Sequence, residues 1–98
     1  MPCYVIAHVE IVDGGRYLDY ASAVVAQIEA AGGRVLAAGP ADPLEGSPMS
    51  NHNVIIEFPD QSTVTAWYES DGYQAIIPIR HEASSSSQVA IVDGWPGF

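Results

Sequence analysis

The stretch Val54-Ile55-Ile56-Glu57-Phe58-Pro59-Asp60, followed by Trp67-Tyr68-Glu69-Ser70-Asp71-Gly72-Tyr73-Gln74 and ending in Arg80, decides how this chain folds. Its first part alternates. Val54, Ile56 and Phe58 share one side and Asn53, Ile55 and Glu57 the other, which predicts a strand over His52 to Phe58. Pro59-Asp60 makes the turn, and Asp60 supplies a carboxylate to cap a helix carrying Val64, Trp67 and Tyr68. A second helical piece begins near Ser70 and runs toward Arg80. Pro78 is expected to weaken or end it, because proline removes a backbone donor and clashes with the preceding turn.

The same grammar appears toward the N-terminus. Tyr4 to Val12 reads as a strand with Val5, Ala7, Val9 and Ile11 on one face and Tyr4, Ile6, His8 and Glu10 on the other. Asp13 caps a helix over Arg16 to Ala31, where Tyr17, Tyr20, Ala21, Val24, Val25 and Ile28 recur at helical spacing. Gly32-Gly33 ends that helix. Arg34 to Ala38 is a second strand, stopped by Gly39-Pro40, and a loop with Pro43, Gly46 and Pro48 leads to His52. Beyond Arg80, Ser84 to Ser87 reads as a solvated linker, Gln88 to Asp93 as the last strand, and residues 94–98 as a tail. The order is β-α-β-β-α-β within one domain spanning 1–98. This predicts an α+β, ferredoxin-like antiparallel sheet with its helices on one face.

Composition narrows the functional classes. Twelve acids stand against three arginines (Arg16, Arg34 and Arg80) and no lysine, giving a formal net charge of −9 over 98 residues. Phosphate backbones and anionic membrane surfaces call for clustered cations, so neither nucleic acid nor membrane is expected as a partner. The 48% apolar share fits a packed globular chain. No apolar run reaches the roughly 18–20 residues of a spanning helix, and Met1-Pro2-Cys3-Tyr4 does not open like a signal peptide, so a cytoplasmic protein is expected. The single cysteine, Cys3, excludes an internal disulfide or a multi-thiolate metal site.

The strand face away from the helices mixes Ile6, Ile55 and Ile91 with His8, Glu10 and Glu57. It is too apolar for free solvation and too polar for a sealed core. A second copy closing on it would make an α+β barrel, so the chain is expected to be a homodimer. A small organic ligand is expected in a cavity between sheet and helices. His8 and Glu10 point the same way, and Glu57 joins them if the third strand pairs beside the first. His8 then has three readings: a general base, a metal ligand, or a hydrogen-bonded structural group. Metal is not expected, because His52 and His81 have no ligand spacing to His8. Tyr17, Tyr20, Trp67, Tyr68 and Tyr73 are core aromatics or cavity liners. Arg80 pairs with Glu57 or Glu82, or else holds a substrate carboxylate.

No P-loop, dinucleotide glycine fingerprint, GxSxG elbow or HExxH is present, and no cofactor is expected. Three functions compete. The first is a cofactor-free enzyme with His8 as base and Tyr73 or Arg80 orienting the substrate, where Glu10, Glu57, Trp67, Tyr68 and Tyr17 contact the ligand. The second is a non-catalytic dimer binding a small molecule. The third is a stress-related or accessory interaction protein.

Tyr4-Val5-Ile6-Ala7, Tyr17 and Tyr20, Gly32-Gly33-Arg34, Leu44-Glu45-Gly46, Ile56-Glu57-Phe58-Pro59, Ala66-Trp67-Tyr68-x-Ser70-x-x-Tyr73-Gln74, Arg80 and Val92-x-Gly94 occur in that order. From Tyr4 to Gly94 the chain thereby resembles a bacterial family of small domains of unknown function, number 1330, in the dimeric α+β barrel superfamily. The resemblance implies a ferredoxin-like protomer paired into a barrel and names no reaction; the superfamily includes cofactor-free monooxygenases, lactone isomerases and haem-degrading enzymes. Where the family usually has an arginine and paired glycines after the second strand, this chain has Ala37-Ala38-Gly39-Pro40. It also has Asn51-His52-Asn53 where a basic residue is commoner. An anionic ligand held by that missing arginine is not implied.

Overall fold

A computed structural model describes residues 1–97. Seven elements follow one another: β1 (Cys3–Ile11), α1 (Gly14–Ala30), β2 (Arg34–Gly39), β3 (His52–Phe58), α2 (Gln61–Tyr68), α3 (Asp71–Ala83) and β4 (Ser84–Asp93). The strands form one sheet in the order β2-β3-β1-β4, with every neighbouring pair antiparallel. The ferredoxin-like α+β arrangement expected from the sequence is therefore present. Across its Cα atoms the molecule is a slab only 16 Å deep. That depth holds one sheet and one helical layer, so the second sheet face is left uncovered.

The helices start where short polar side chains replace missing backbone acceptors. Asp13 accepts from the Arg16 amide at 3.0 Å, Asp60 from the Thr63 amide at 2.8 Å, and Ser70 from the Tyr73 amide at 3.2 Å. The Asp60 carboxyl is held below its usual range by the hydroxyl and amide of Thr63 and by Ser62. Beyond the end of α1 and its Ala31 cap, Gly32 takes a φ of +93° that suits glycine, and the Gly33 amide donates back to Ile28 O at 2.9 Å. A Cβ on Gly33 would lie 2.7 Å from the Phe58 ring, so this glycine lets β2 leave the helix directly against the core.

The core lies between the sheet and the helices. Val5, Val9, Ile28, Phe58, Val64 and Tyr73 are almost wholly buried there, with Ile56 and Trp67 beside them. This is the face on which alternation placed Val5, Ala7, Val9, Ile56 and Phe58. Cross-strand pairing corrects one assignment. Ile91 sits opposite Val5, and Val89 opposite Ala7, so Ile91 belongs to the helix side and not to the open face. Ala90 and Val92, opposite Ile6 and Tyr4, take its place on the open face.

Two further expectations are overturned. Pro78 does not end its helix, since α3 continues to Ala83. Pro78 and Gln74, the residue whose carbonyl loses its donor, are both solvent-exposed, a position where water can replace the lost donor. Ser84 to Ser87 is not a linker but the first part of β4, with Ser84, Ser86 and Ser87 paired to Ile11, Glu10 and Val9. Strand pairing uses backbone groups, and an edge strand tolerates polar side chains. Of the expected tail, Gly94 is buried and its amide donates to Pro2 O at 2.9 Å; Phe98 lies outside the described residues.

Candidate functional site

Between α1 and the sheet lies a cavity of about 360 Å3. Strand register sorts its walls into two ends. At one end the start of α1 faces the Val9–His52 pair, bringing together Tyr17, Tyr20, His52 and Arg80. At the other, Val24 and Ile28 stand over Ile56 and its β2 partner Val35. Leu18, Val25 and Val35 line the cavity yet are exposed, and so mark its rim. A cavity this size is at the small end of the roughly 300–1,000 Å3 typical of ligand sites.

The polar end is a row of stacked side chains. The Tyr17 ring is edge-on to His52 at 5.1 Å and 5.4 Å from Tyr20, and the Arg80 guanidinium carbon lies 5.6 Å from the Tyr20 ring centre. Arg80 comes from the last turn of α3, is 4% exposed, and donates to Tyr73 Oη at 2.6 Å, to Tyr20 Oη at 3.3 Å and to Ser87 Oγ at 3.3 Å. These are hydroxyls, and no carboxylate lies within 4.0 Å of Arg80 among the described residues. Burial pulls down the pKa of Arg80, but the Tyr73 and Tyr20 oxygens outweigh it and the net shift is upward; the group stays cationic.

The expected ion pairs of Arg80 are thus replaced. Glu57 accepts from Arg34 Nε at 3.0 Å and from the Tyr4 hydroxyl at 3.2 Å, and Glu82 pairs with Arg16 at 2.9 Å. Both acids point to solvent-side arginines, which leaves the buried cation with neutral dipoles alone.

Neighbouring groups are held neutral. Burial, with the charge of Tyr20 adding and that of Arg80 opposing, pushes the Tyr17 phenol up to about 12. Burial, Tyr20 and its hydrogen bond push Tyr73 far above the usual phenol range, against the pull of Arg80. Burial lowers the pKa of His52, favouring the uncharged imidazole. No hydrogen bond joins the Tyr17 hydroxyl or the His52 ring to any described residue. The polar end therefore presents donors, and none of the twelve acids lines it.

The residues singled out in the sequence do not form one site. Tyr17 and Arg80 reach the cavity, while Tyr73 stands behind Arg80 without lining it. Trp67 and Tyr68 border a separate groove of about 380 Å3 with Val5, Val64, Val89 and Ile91. His8 and Glu10 are on the open face, as alternation required. There Asn53 Oδ1 lies 2.7 Å from His8 Nδ1, and its amide nitrogen is committed to Ser50 O at 2.8 Å, so the imidazole donates through Nδ1. Glu10 accepts from the Asn51 amide at 3.1 Å. Glu57 shares the open face but pairs with Tyr4, four residues from His8 along β1, roughly 13 Å away. It does not join His8 and Glu10.

Tyr20, grouped in the sequence with the other aromatics as a core residue or cavity liner, does line the cavity, whereas His52 was not singled out as a site residue. A usable signal existed for His52: it continues the alternation His52, Val54, Ile56, Phe58 and so faces the helices. Cys3 is buried, and burial followed by the charge of Asp93 raises its pKa, which keeps the thiol protonated. Among the described residues no three His, Cys, Asp or Glu side chains are grouped to hold a metal ion, and no helix is long and apolar enough to cross a membrane.

Sheet order, one helical layer and a helix-side cavity define a ferredoxin-like α+β protein. Solved structures share that fold at low sequence identity. A protein of unknown function from Rhodopseudomonas palustris superposes with a TM-score of 0.77 at 17% identity, covering 98% of this chain and 84% of its own. A dimeric ferredoxin-like protein of unknown function from Jannaschia sp. gives 0.76 at 13% identity, covering 96% and 100%. An antibiotic biosynthesis monooxygenase gives 0.63 at 17% identity, covering 96% and 99%. No curated protein matches the chain. The chain belongs to the family described as Domain of unknown function (DUF1330), whose model matches residues 2–95.

Proposed function

We propose that this chain is a homodimeric domain that binds a small, largely apolar organic molecule between α1 and the sheet. The observation that carries this reading is the cavity itself. About 360 Å3 of space is walled by aliphatic side chains at one end and by unpartnered donors and a buried guanidinium at the other. A buried cation facing only hydroxyls is costly, and such an arrangement is retained more readily where a bound molecule completes it. Binding is favoured over turnover, because the Tyr17 phenol in the cavity wall and the Tyr73 phenol behind Arg80 resist ionisation and His8 stands on the opposite side of the sheet.

The dimer rests on the open face. Ile6 is half-buried, Ile55 and Val92 are exposed, and Ala37 and Ala90 lie among them, an apolar stripe no described residue covers. The relative from Jannaschia sp. is described as dimeric. A second reading is proton transfer on the bound molecule by His52. It is favoured by the position of this neutral imidazole inside the cavity, edge-on to Tyr17, and by likeness in fold to a monooxygenase.

The test is native mass spectrometry of the protein incubated with 1-octanol, beside Ala38→Trp, which fills the cavity from an exposed wall position on the edge strand. Dimers carrying octanol in the parent protein and bare dimers in the variant are expected. Equal loading of both would place the binding elsewhere and overturn the reading.

A further inference from the structure

The polar end also indicates what the head of the bound molecule must be. Resting on the cavity reading above, we infer that the ligand is an amphipathic monocarboxylate, with its carboxylate on Arg80, Tyr17 and His52 and its apolar body along Val24, Ile28 and Ile56. The argument is one of charge and donor count. Arg16 and Arg34 both hold surface carboxylates, whereas Arg80, the buried cation, holds none. Its partners Tyr73, Tyr20 and Ser87 are neutral, and a charge kept from water is best compensated by an opposite charge.

The other head-end groups are donors in the states their surroundings impose. Tyr17 keeps its proton, and a neutral imidazole offers one N–H. In a chain with twelve acids, the absence of any acid from this wall keeps the anion site free of repulsion. One guanidinium matches one negative charge, so a carboxylate fits and a phosphate dianion is under-compensated. The absence of a basic residue at Ala37-Ala38 does not remove the site, because its cation comes from α3. The apolar end, without a charged residue, suits an alkyl or aryl chain.

The test compares sodium octanoate, octanamide and 1-octanol by isothermal titration on the parent protein, Ala38→Trp, Arg80→Met and Tyr17→Phe. Octanoate is expected to bind about tenfold or more tightly than octanamide, to lose that preference in Arg80→Met and part of it in Tyr17→Phe, and to lose binding in Ala38→Trp. The carboxyl carbon of bound 13C-labelled octanoate should stay in its ionised position to lower pH than free octanoate, a readout that remains if Arg80→Met does not fold. Octanol and octanamide binding as tightly as octanoate, with all three lost in Ala38→Trp, would overturn the head-group assignment while leaving the cavity reading intact. Failure of all three to bind would overturn both.

Discussion

Arg80 Nη1 and the Tyr73 hydroxyl oxygen are 2.6 Å apart, on side chains two turns apart along α3. The same nitrogen reaches Tyr20 on α1, and the two phenol oxygens lie 2.8 Å from each other. One buried guanidinium thus ties α3 to α1, and Ser87 ties it to β4. Tyr73 thus holds the guanidinium of Arg80, which lines the cavity while Tyr73 itself does not.

Tyr73→Phe should destabilise the protein by about 1–3 kcal/mol, the cost of leaving a buried charge short of an acceptor. In an Arg80→Met background the same change should cost clearly less, because the charge that needed the hydroxyl is gone. Urea denaturation of the four proteins of this cycle checks it; additive effects would mean the contact carries no coupling.

The folded state lowers the pKa of His52 below its ordinary value of 6.5, so the unfolded chain binds a proton more readily. Stability from the neutral imidazole is complete above that value and is lost as pH falls from about 6.5 toward the folded pKa. Thermal melting between pH 7.5 and 5 should show this decline, and His52→Gln should flatten it. An unchanged slope in the variant would assign the decline to other groups.

The Gly33 prediction is steric. Its Cβ position is 2.7 Å from the Phe58 ring and 3.0 Å from Ile28, both packed against the core. Gly33→Ala should cost about 1–3 kcal/mol by forcing that ring aside. Gly14→Ala, with nothing near its Cβ, serves as the control and should shift the melting temperature far less.

The alternation of Val5, Ala7 and Val9 and of Ile56 and Phe58 made the sheet and its buried face legible, since period-two burial is written in residue type. β4 was legible only from Gln88 onward. Its first residues are serines whose side chains say nothing about a backbone ladder with β1. Pro78 misled because local steric rules do not reveal that both it and Gln74 lie on the exposed side of α3. The candidate site was legible in pieces, since Tyr17 and Arg80 could be named while their meeting could not. The partner of Arg80 depended on where Glu57 and Glu82 went, and surface arginines far away in sequence had taken both.

Ile55 is 40% exposed on the open face, beside half-buried Ile6. Ile55→Arg should shift the protein from dimer toward monomer in sedimentation velocity, with a circular dichroism spectrum like that of the parent. A dimer of unchanged strength would remove this face from the interface.

The central claim is that the space between α1 and the sheet is a binding site with Arg80 at its polar end. The most direct measurement is the 15N–1H spectrum of the protein titrated with sodium octanoate, following the Arg80 Nε–H resonance together with the amides of Val24, Ile28 and Val54. Saturable, concerted shifts of all four, abolished in Ala38→Trp, are predicted. A stationary Arg80 resonance, with shifts confined to Ile6, Ile55 and their open-face neighbours, would contradict the account.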